Sequence, residues 1–184
     1  MNKVTVPDFY PLPLIENLLD RVGNAPFVTT IYLLKVYYQI SVLETAKGIL
    51  SLITPFSLYQ YTVMAFGLSN APATFQRAIK YITQNLEGTS TYLDYLLVIS
   101  DSWEEHLVRL RQLMDRLQEA GLSINLVKSI FGRSSVVYLG NVVEDGTVRL
   151  KKAKVEAILA FLLRTTRKVS IDVSVRTFPP WLLP

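Results

Sequence analysis

One carboxylate in this sequence is placed where it could do chemistry. Asp94 sits in Thr91-Tyr92-Leu93-Asp94-Tyr95-Leu96-Leu97-Val98-Ile99-Ser100, where β-branched and aromatic residues flank a short tip at residues 93–95. That pattern reads as a tight hairpin. A carboxylate at its tip projects from the end of a sheet, where it can meet a bound ion or a phosphate. Taken alone, the same residue is an ordinary turn aspartate. A second chemically suggestive group is basic. Between Arg149 and Arg176, eight Lys and Arg residues stand against only Glu156 and Asp172, a local charge of +6 in a chain of +4 overall. Lys151, Lys152 and Lys154 are its densest part and could follow a phosphate backbone. The alternative is a solvated helix face. His106, the only histidine, follows Glu105 in a helical pattern and is expected to be a solvated helix residue.

The elements that must position these groups follow from periodicity and punctuation. Leu14, Leu18, Leu19 and Val22 mark one face of a helix over residues 14–22, ended by Gly23-Asn24-Ala25-Pro26. Phe27-Val28-Thr29-Thr30-Ile31-Tyr32 is a strand by composition, and residues 37–42 read as extended again. Two further strands are expected near 49–53 and 59–64, then a helix over 73–86 after Asn70-Ala71-Pro72. A long amphipathic helix over 102–120 follows the hairpin, with Leu107, Leu110, Leu113, Met114 and Leu117 as its buried stripe. Asp101 or Ser102 can cap its start and Gly121 can close it. A strand pair near 124–131 and 136–143 precedes the turn Glu144-Asp145-Gly146, and a last helix begins near Lys151. Tyr37, Tyr38 and Phe56 are candidates for the core. This order predicts an α+β fold, a sheet with helices packed on one face.

Composition narrows the class. At 184 residues, 50% hydrophobic and 18% charged, the chain can bury a real core and is not disordered. Mean hydropathy is high at +0.28, yet no window holds about 18 consecutive apolar residues, so no membrane span is expected. The start lacks the apolar core of a signal peptide. Zero cysteines exclude disulfides and cysteine metal sites. An intracellular protein, cytoplasmic or nuclear, is the expectation; the oligomeric state is left open.

Five blocks resemble one family in order and spacing: Asp8-Phe9-Tyr10-Pro11-Leu12-Pro13, Phe66-Gly67-Leu68-Ser69-Asn70-Ala71-Pro72-Ala73-Thr74-Phe75-Gln76, Trp103-Glu104-Glu105-His106-Leu107, Tyr138-Leu139-Gly140-Asn141-Val142-Val143 and Lys154-Val155-Glu156-Ala157-Ile158. With the hairpin, they are similar to the reverse transcriptases of gypsy-like long-terminal-repeat retrotransposons and their retroviral relatives. The resemblance implies a palm-like antiparallel sheet with truncated fingers and thumb. It implies a fingers remnant and palm over 1–150, the start of the thumb over 151–168, and an unrelated tail over 169–184. No ribonuclease H domain is expected in this chain. RNA-directed DNA polymerase activity on an RNA or DNA primer–template is the implied chemistry.

The implied site is a two-metal centre. Two Mg²⁺ ions about 3.5–4 Å apart activate a primer hydroxyl and stabilise the leaving pyrophosphate. In the family, three aspartates hold them. Here Tyr32 stands at the first aspartate position and Tyr95 at the third, leaving Asp94 as the sole metal ligand. The resemblance assigns Tyr37, Gln39 and Phe66 to the nucleotide pocket, with Val36 where a glycine is usual and Ala65 where a proline is. It assigns Tyr138, Leu139 and Gly140, with Lys151, Lys152 and Lys154, to primer contact. The fingers lysine and arginine that grip the triphosphate would precede residue 1. A neutral phenol is no carboxylate ligand at pH 7, so metal binding and catalysis are expected to be lost. Two alternatives remain: an active polymerase, and an interaction module docking a partner through its Pro-Pro-Trp tail.

Overall fold

A computed structural model describes residues 2–22, 25–144, 147–150 and 156. From the amino end, α1 (Ile15–Val22) leads into β1 (Phe27–Tyr32), a 3-10 turn (Val36–Gln39), α2 (Glu44–Lys47) and the hairpin β2–β3 (Ser51–Ile53, Leu58–Gln60). α3 (Ala71–Ile82), β4 (Thr89–Tyr92), β5 (Tyr95–Ser100) and α4 (Trp103–Glu119) follow, then β6 (Ile130–Arg133), β7 (Ser135–Tyr138), β8 (Asn141–Glu144) and β9 (Thr147–Leu150).

β1 and β5 are apolar on both faces, which demands cover on both sides. They lie at the centre of an antiparallel sheet in the order β4-β5-β1-β6. Side chains alternate strictly along them. Ile31, Leu96 and Val98 point to one face, where they pack with Phe75 and Ile79 of α3 and Leu113 and Leu117 of α4. Val28 and Leu97 point to the other, against Leu18, Leu19 and Val22 of α1 and Val136, Tyr138 and Val143 of the β7–β8 hairpin. The fold is therefore α+β and palm-like. The two long helices share one face, and the opposite face carries α1 and the three-stranded sheet β7-β8-β9. Ile31, Phe75, Ile79, Leu96 and Leu113 are fully buried, each contributing about 1.5–3 kcal/mol by transfer from water.

α4 matches its sequence reading closely. Ser102 Oγ accepts the Glu105 N–H at 3.2 Å, and Gly121 at φ 67° closes the helix as Leu122 donates to the Leu117 carbonyl at 2.8 Å. Its stripe differs at one end. Leu107 is half-exposed, and His106 takes its inward place. The expectation of a solvated histidine is corrected: His106 is fully buried, its Nε2 2.7 Å from Thr29 Oγ1 and its Nδ1 2.7 Å from Ser100 Oγ. Both partners lie on the helix-facing side of the sheet, so two hydroxyls satisfy a polar ring that the helical period brings inward.

Other expectations shift for local reasons. Residues 37–42 are not a strand. Lys35 adopts a left-handed φ of 44°, and Tyr38 and Ile40 donate to the carbonyls of Lys35 (2.9 Å) and Tyr37 (3.1 Å), which coils the segment. Only Ser41 bridges, to Val63. Residues 125–129 form a turn in which Ser129 donates its N–H to the Asn125 carbonyl (3.1 Å), so the strand there is confined to β6. Residues 136–143 fold back on themselves at Leu139 (φ 48°) and Gly140 (φ 79°), a turn with both central residues left-handed. Phe56 is 93% exposed at the tip of β2–β3 and is no core residue. Leu14 is exposed just before α1. The turn at residues 145–146, the expected helix from Lys151 apart from Glu156, and the tail lie outside the described residues. Among the described residues no helix is long and apolar enough to cross a membrane.

Candidate active site

The tip of the β4–β5 hairpin is a two-residue connection, Leu93-Asp94. Leu93 has a left-handed φ of 49°, an unfavourable conformation for a γ-branched residue that its surroundings must hold. Three contacts do so. Gln76, fully buried on α3, accepts the Leu93 N–H on Oε1 at 2.6 Å. Its Nε2 lies 3.4 Å from both the carbonyl and the hydroxyl of Thr91. On the far side, Leu33 donates its N–H to the Asp94 carbonyl at 2.8 Å. The Asp94 side chain is thus delivered at the end of the sheet by a clamped turn.

Tyr32 ends β1 and Tyr95 begins β5, and the register pairs them directly. Their rings meet edge to face, centroids 4.9 Å apart at 82°. The Tyr32 phenol and the Asp94 carboxylate lie close enough to perturb each other's pKa. Tyr95 in turn meets Tyr138 edge to face at 6.4 Å. Tyr32 is tied to the 125–129 turn through its N–H to Ser129 Oγ (3.0 Å) and its carbonyl from Asn125 N–H (2.7 Å). That turn brings Lys128 Nζ to 4.6 Å from the Tyr32 ring centroid. The electrostatics follow. Burial raises the Asp94 pKa, opposed by the Tyr32 hydrogen bond, the Asp94 backbone N–H and the charge of Lys128. Burial first, then the hydrogen bond to Asp94, pushes the Tyr32 phenol far up, and burial raises Tyr95 and Tyr37 as well. All three phenols are neutral at pH 7.

Beside the tip is a small cavity of about 130 Å³, bounded by Asp94, Tyr32, Val36, Tyr37 and Phe66, with Lys35 at its margin. Tyr37 and Phe66 meet edge to face at 5.0 Å. The structure therefore brings together Asp94, Tyr32, Tyr37 and Phe66. Gln39 is not among the cavity's walls. Its Oε1 accepts the Ser123 N–H at 2.6 Å and its amide donates to the Leu34 and Ser123 carbonyls. Tyr138, the last residue of β7, is fully buried, and its hydroxyl has no hydrogen-bond partner among the described residues. Leu139 and Gly140 form the hairpin's turn. Lys151, Lys152 and Lys154 lie outside the described residues. Sequence reasoning missed Gln76 and Lys128 as members of this site. Gln76 stood inside a recognised block, but nothing local to Lys128 pointed to Tyr32.

Comparison with known proteins is consistent with this geometry. The family model for reverse transcriptase (RNA-dependent DNA polymerase) matches residues 1–143. A Retrovirus-related Pol polyprotein from transposon 297 of Drosophila melanogaster is 34% identical over 91% of this chain, and that from transposon opus is 36% identical over 86%. The chain spans only 16% of the length of each of these relatives. Among solved structures, a foamy viral protease-reverse transcriptase with double-stranded DNA superposes at a TM-score of 0.81. It is 22% identical and covers 90% of this chain and 29% of its own. The same viral protein with an RNA/DNA hybrid gives 0.76 at 22% identity, covering 90% and 22%. A family match across more than three-quarters of the sequence, on a palm-like sheet whose central hairpin carries Asp94, places this chain in the reverse transcriptase (RNA-dependent DNA polymerase) family.

Proposed function

We propose that this chain is a reverse-transcriptase palm that no longer performs nucleotidyl transfer and retains at most a hold on nucleic acid. The supporting observation is the set of donors at the hairpin tip: one carboxylate and two neutral phenols. Two Mg²⁺ ions a few ångström apart need several hard oxygen ligands. Asp94 offers two oxygens, with the Tyr32 phenol beside them. Among the described residues no three His, Asp or Glu side chains converge as a metal cage. The residues present do not fit a two-metal centre.

Tyr138 is too deeply buried for the primer contact expected of it, so the residual role in this reading is contact with a primer–template duplex through the Leu139-Gly140 turn and through Lys151, Lys152 and Lys154. The foamy viral relatives held an RNA/DNA hybrid and double-stranded DNA. The opposite reading, an active polymerase, draws on the Tyr37–Phe66 cavity beside Asp94.

Primer extension with Mg²⁺ or Mn²⁺ separates the two. The unaltered chain is expected to match an Asp94→Ala control, with the Tyr32→Asp, Tyr95→Asp double variant as the comparison for a restored ligand set. Extension by the unaltered chain above the Asp94→Ala level overturns the proposal. Duplex affinity is expected to fall as salt rises; affinity indifferent to salt removes the phosphate contact.

A further inference from the structure

The four-stranded sheet ends at β4, whose outer edge forms the floor of a groove of about 500 Å³ between α1 and α3. The groove shares no lining residue with the cavity beside Asp94. Ile99 donates its N–H to the Gly88 carbonyl at 2.9 Å, which sets the pairing phase. Ser90 and Tyr92 direct their backbone groups at β5, and Thr89 and Thr91 direct theirs outward. Two of those outward groups are engaged. The Thr89 N–H donates to the Leu86 carbonyl at 3.4 Å, and Gln76 Nε2 lies 3.4 Å from the Thr91 carbonyl. The Thr89 carbonyl and the Thr91 N–H have no hydrogen-bond partner among the described residues. Thr91 is buried, and an unpaired backbone group at that depth is costly.

A free carbonyl at one residue and a free N–H two residues on are the pair that a single residue of a parallel strand bonds at once. The walls above that pair are polar and basic. Ser90 faces α1, where Arg21 Nη1 lies 3.4 Å from its hydroxyl, and Thr91 faces α3, where Gln76 Nε2 lies 3.4 Å from its hydroxyl. Asn17 and Arg21 stand on the α1 side, and Lys80, Thr83 and Gln84 on the α3 side. Arg21 and Lys80 are the only ionisable side chains lining the groove, and neither forms an ion pair among the described residues. The nearest acids in sequence, Glu16, Asp20 and Glu87, do not line it.

We propose that this groove docks an extended, acidic segment of a partner protein, which adds to β4 as a parallel strand. The partner residue opposite Ser90 donates its N–H to the Thr89 carbonyl and accepts the Thr91 N–H. Its side chain falls on the α1 side with Arg21, and the side chains before and after it fall on the α3 side with Lys80. Carboxylates at two consecutive positions therefore meet one cation each. An antiparallel strand would need both Thr91 groups, and Gln76 already holds the carbonyl. A nucleic-acid strand offers phosphates to the cations but nothing that matches the carbonyl and N–H of the sheet edge.

The test uses the full chain and a fluorescein-labelled peptide, acetyl-Ser-Val-Glu-Asp-Val-Ser-amide. Fluorescence anisotropy is expected to show binding, and the peptide is expected to slow hydrogen exchange of the Thr91 amide. The Leu97 amide, inside the sheet, serves as reference and should not change. The Gln-Asn isostere, and the acidic peptide N-methylated at both Glu and Asp, are each expected to bind about tenfold more weakly. These comparisons use the unaltered chain, so they do not depend on any variant folding. Arg21→Gln with Lys80→Gln is expected to weaken the acidic peptide by about tenfold as well. Absence of binding, equal binding by the isostere or the N-methylated peptide, or unchanged Thr91 exchange overturns the proposal. So does hexathymidylate that binds more tightly than the peptide and is weakened by the same two substitutions, which makes the groove a phosphate site instead.

Discussion

Replacing Tyr32 and Tyr95 together by aspartate exchanges packing for charge at one spot, and the structure sets the size of the effect. The edge-to-face pair at 4.9 Å contributes about 0.5–1.5 kcal/mol. The Lys128 ammonium over the Tyr32 ring at 4.6 Å contributes about 0.5–1 kcal/mol at a partly exposed site. Both are lost. Two new carboxylates then crowd Asp94, and each like-charge pair at a few ångström costs about 3–4 kcal/mol at an effective dielectric constant of 20. Protonation relieves part of this, at about 1.4 kcal/mol per pKa unit displaced. The metal-free double variant is expected to be about 3–5 kcal/mol less stable, a fall in Tm of roughly 6–20 °C for a chain of this length. A restored ligand cage would regain about 2.7 kcal/mol at a hundredfold excess of Mg²⁺ over Kd. Thermal unfolding followed by circular dichroism, in chelator and in Mg²⁺, measures both. The unaltered chain should melt at the same temperature in each. A double variant as stable as its parent in chelator refutes the repulsion reasoning. A parent stabilised by Mg²⁺ refutes the reading of the donor set.

Three further outcomes follow from named contacts. Burial first, and then the charge of Arg109, hold the His106 pKa below its usual 6.5 in the folded chain. Below that value the unfolded chain therefore binds more protons, and stability should fall as pH drops through 6.5 toward the folded pKa. Urea midpoints across pH 5–8 test this, and His106→Gln should flatten the slope. Tyr138→Phe removes a buried hydroxyl that has no partner among the described residues, so it should be neutral or stabilising by up to about 1 kcal/mol; a loss above that, in chemical denaturation, would mean the hydroxyl is bonded. Gln76→Leu leaves the Leu93 N–H unpaired in a buried turn and should cost about 1–3 kcal/mol, with faster exchange of the Leu93 amide by NMR.

Local pattern carried far in this chain. The alternation of β1 and β5, the caps and period of α4, and the Asp94 hairpin were legible because neighbouring residues create those signals. The family blocks were legible for the same reason. Residues 37–42 misled, because β-branched and aromatic side chains favour a strand while the left-handed Lys35 and the burial of Val36 and Tyr37 select a tight 3-10 turn. His106 misled too. Its neighbour Glu105 suggested solvent, but the hydroxyls that accommodate the ring lie on two separate strands.

By itself, then, the amino-acid order determined the class of fold, the family, and the identity of the groups at positions 32, 94 and 95. Only the tertiary structure decided what those groups do to one another. It set two phenols edge to face, put Tyr32 beside the Asp94 carboxylate, and carried Lys128 and Gln76 to the same corner from distant elements. Secondary structure is written in spacings of two to four residues, whereas desolvation, ring geometry and charge proximity depend on contacts that exist only once the sheet has closed.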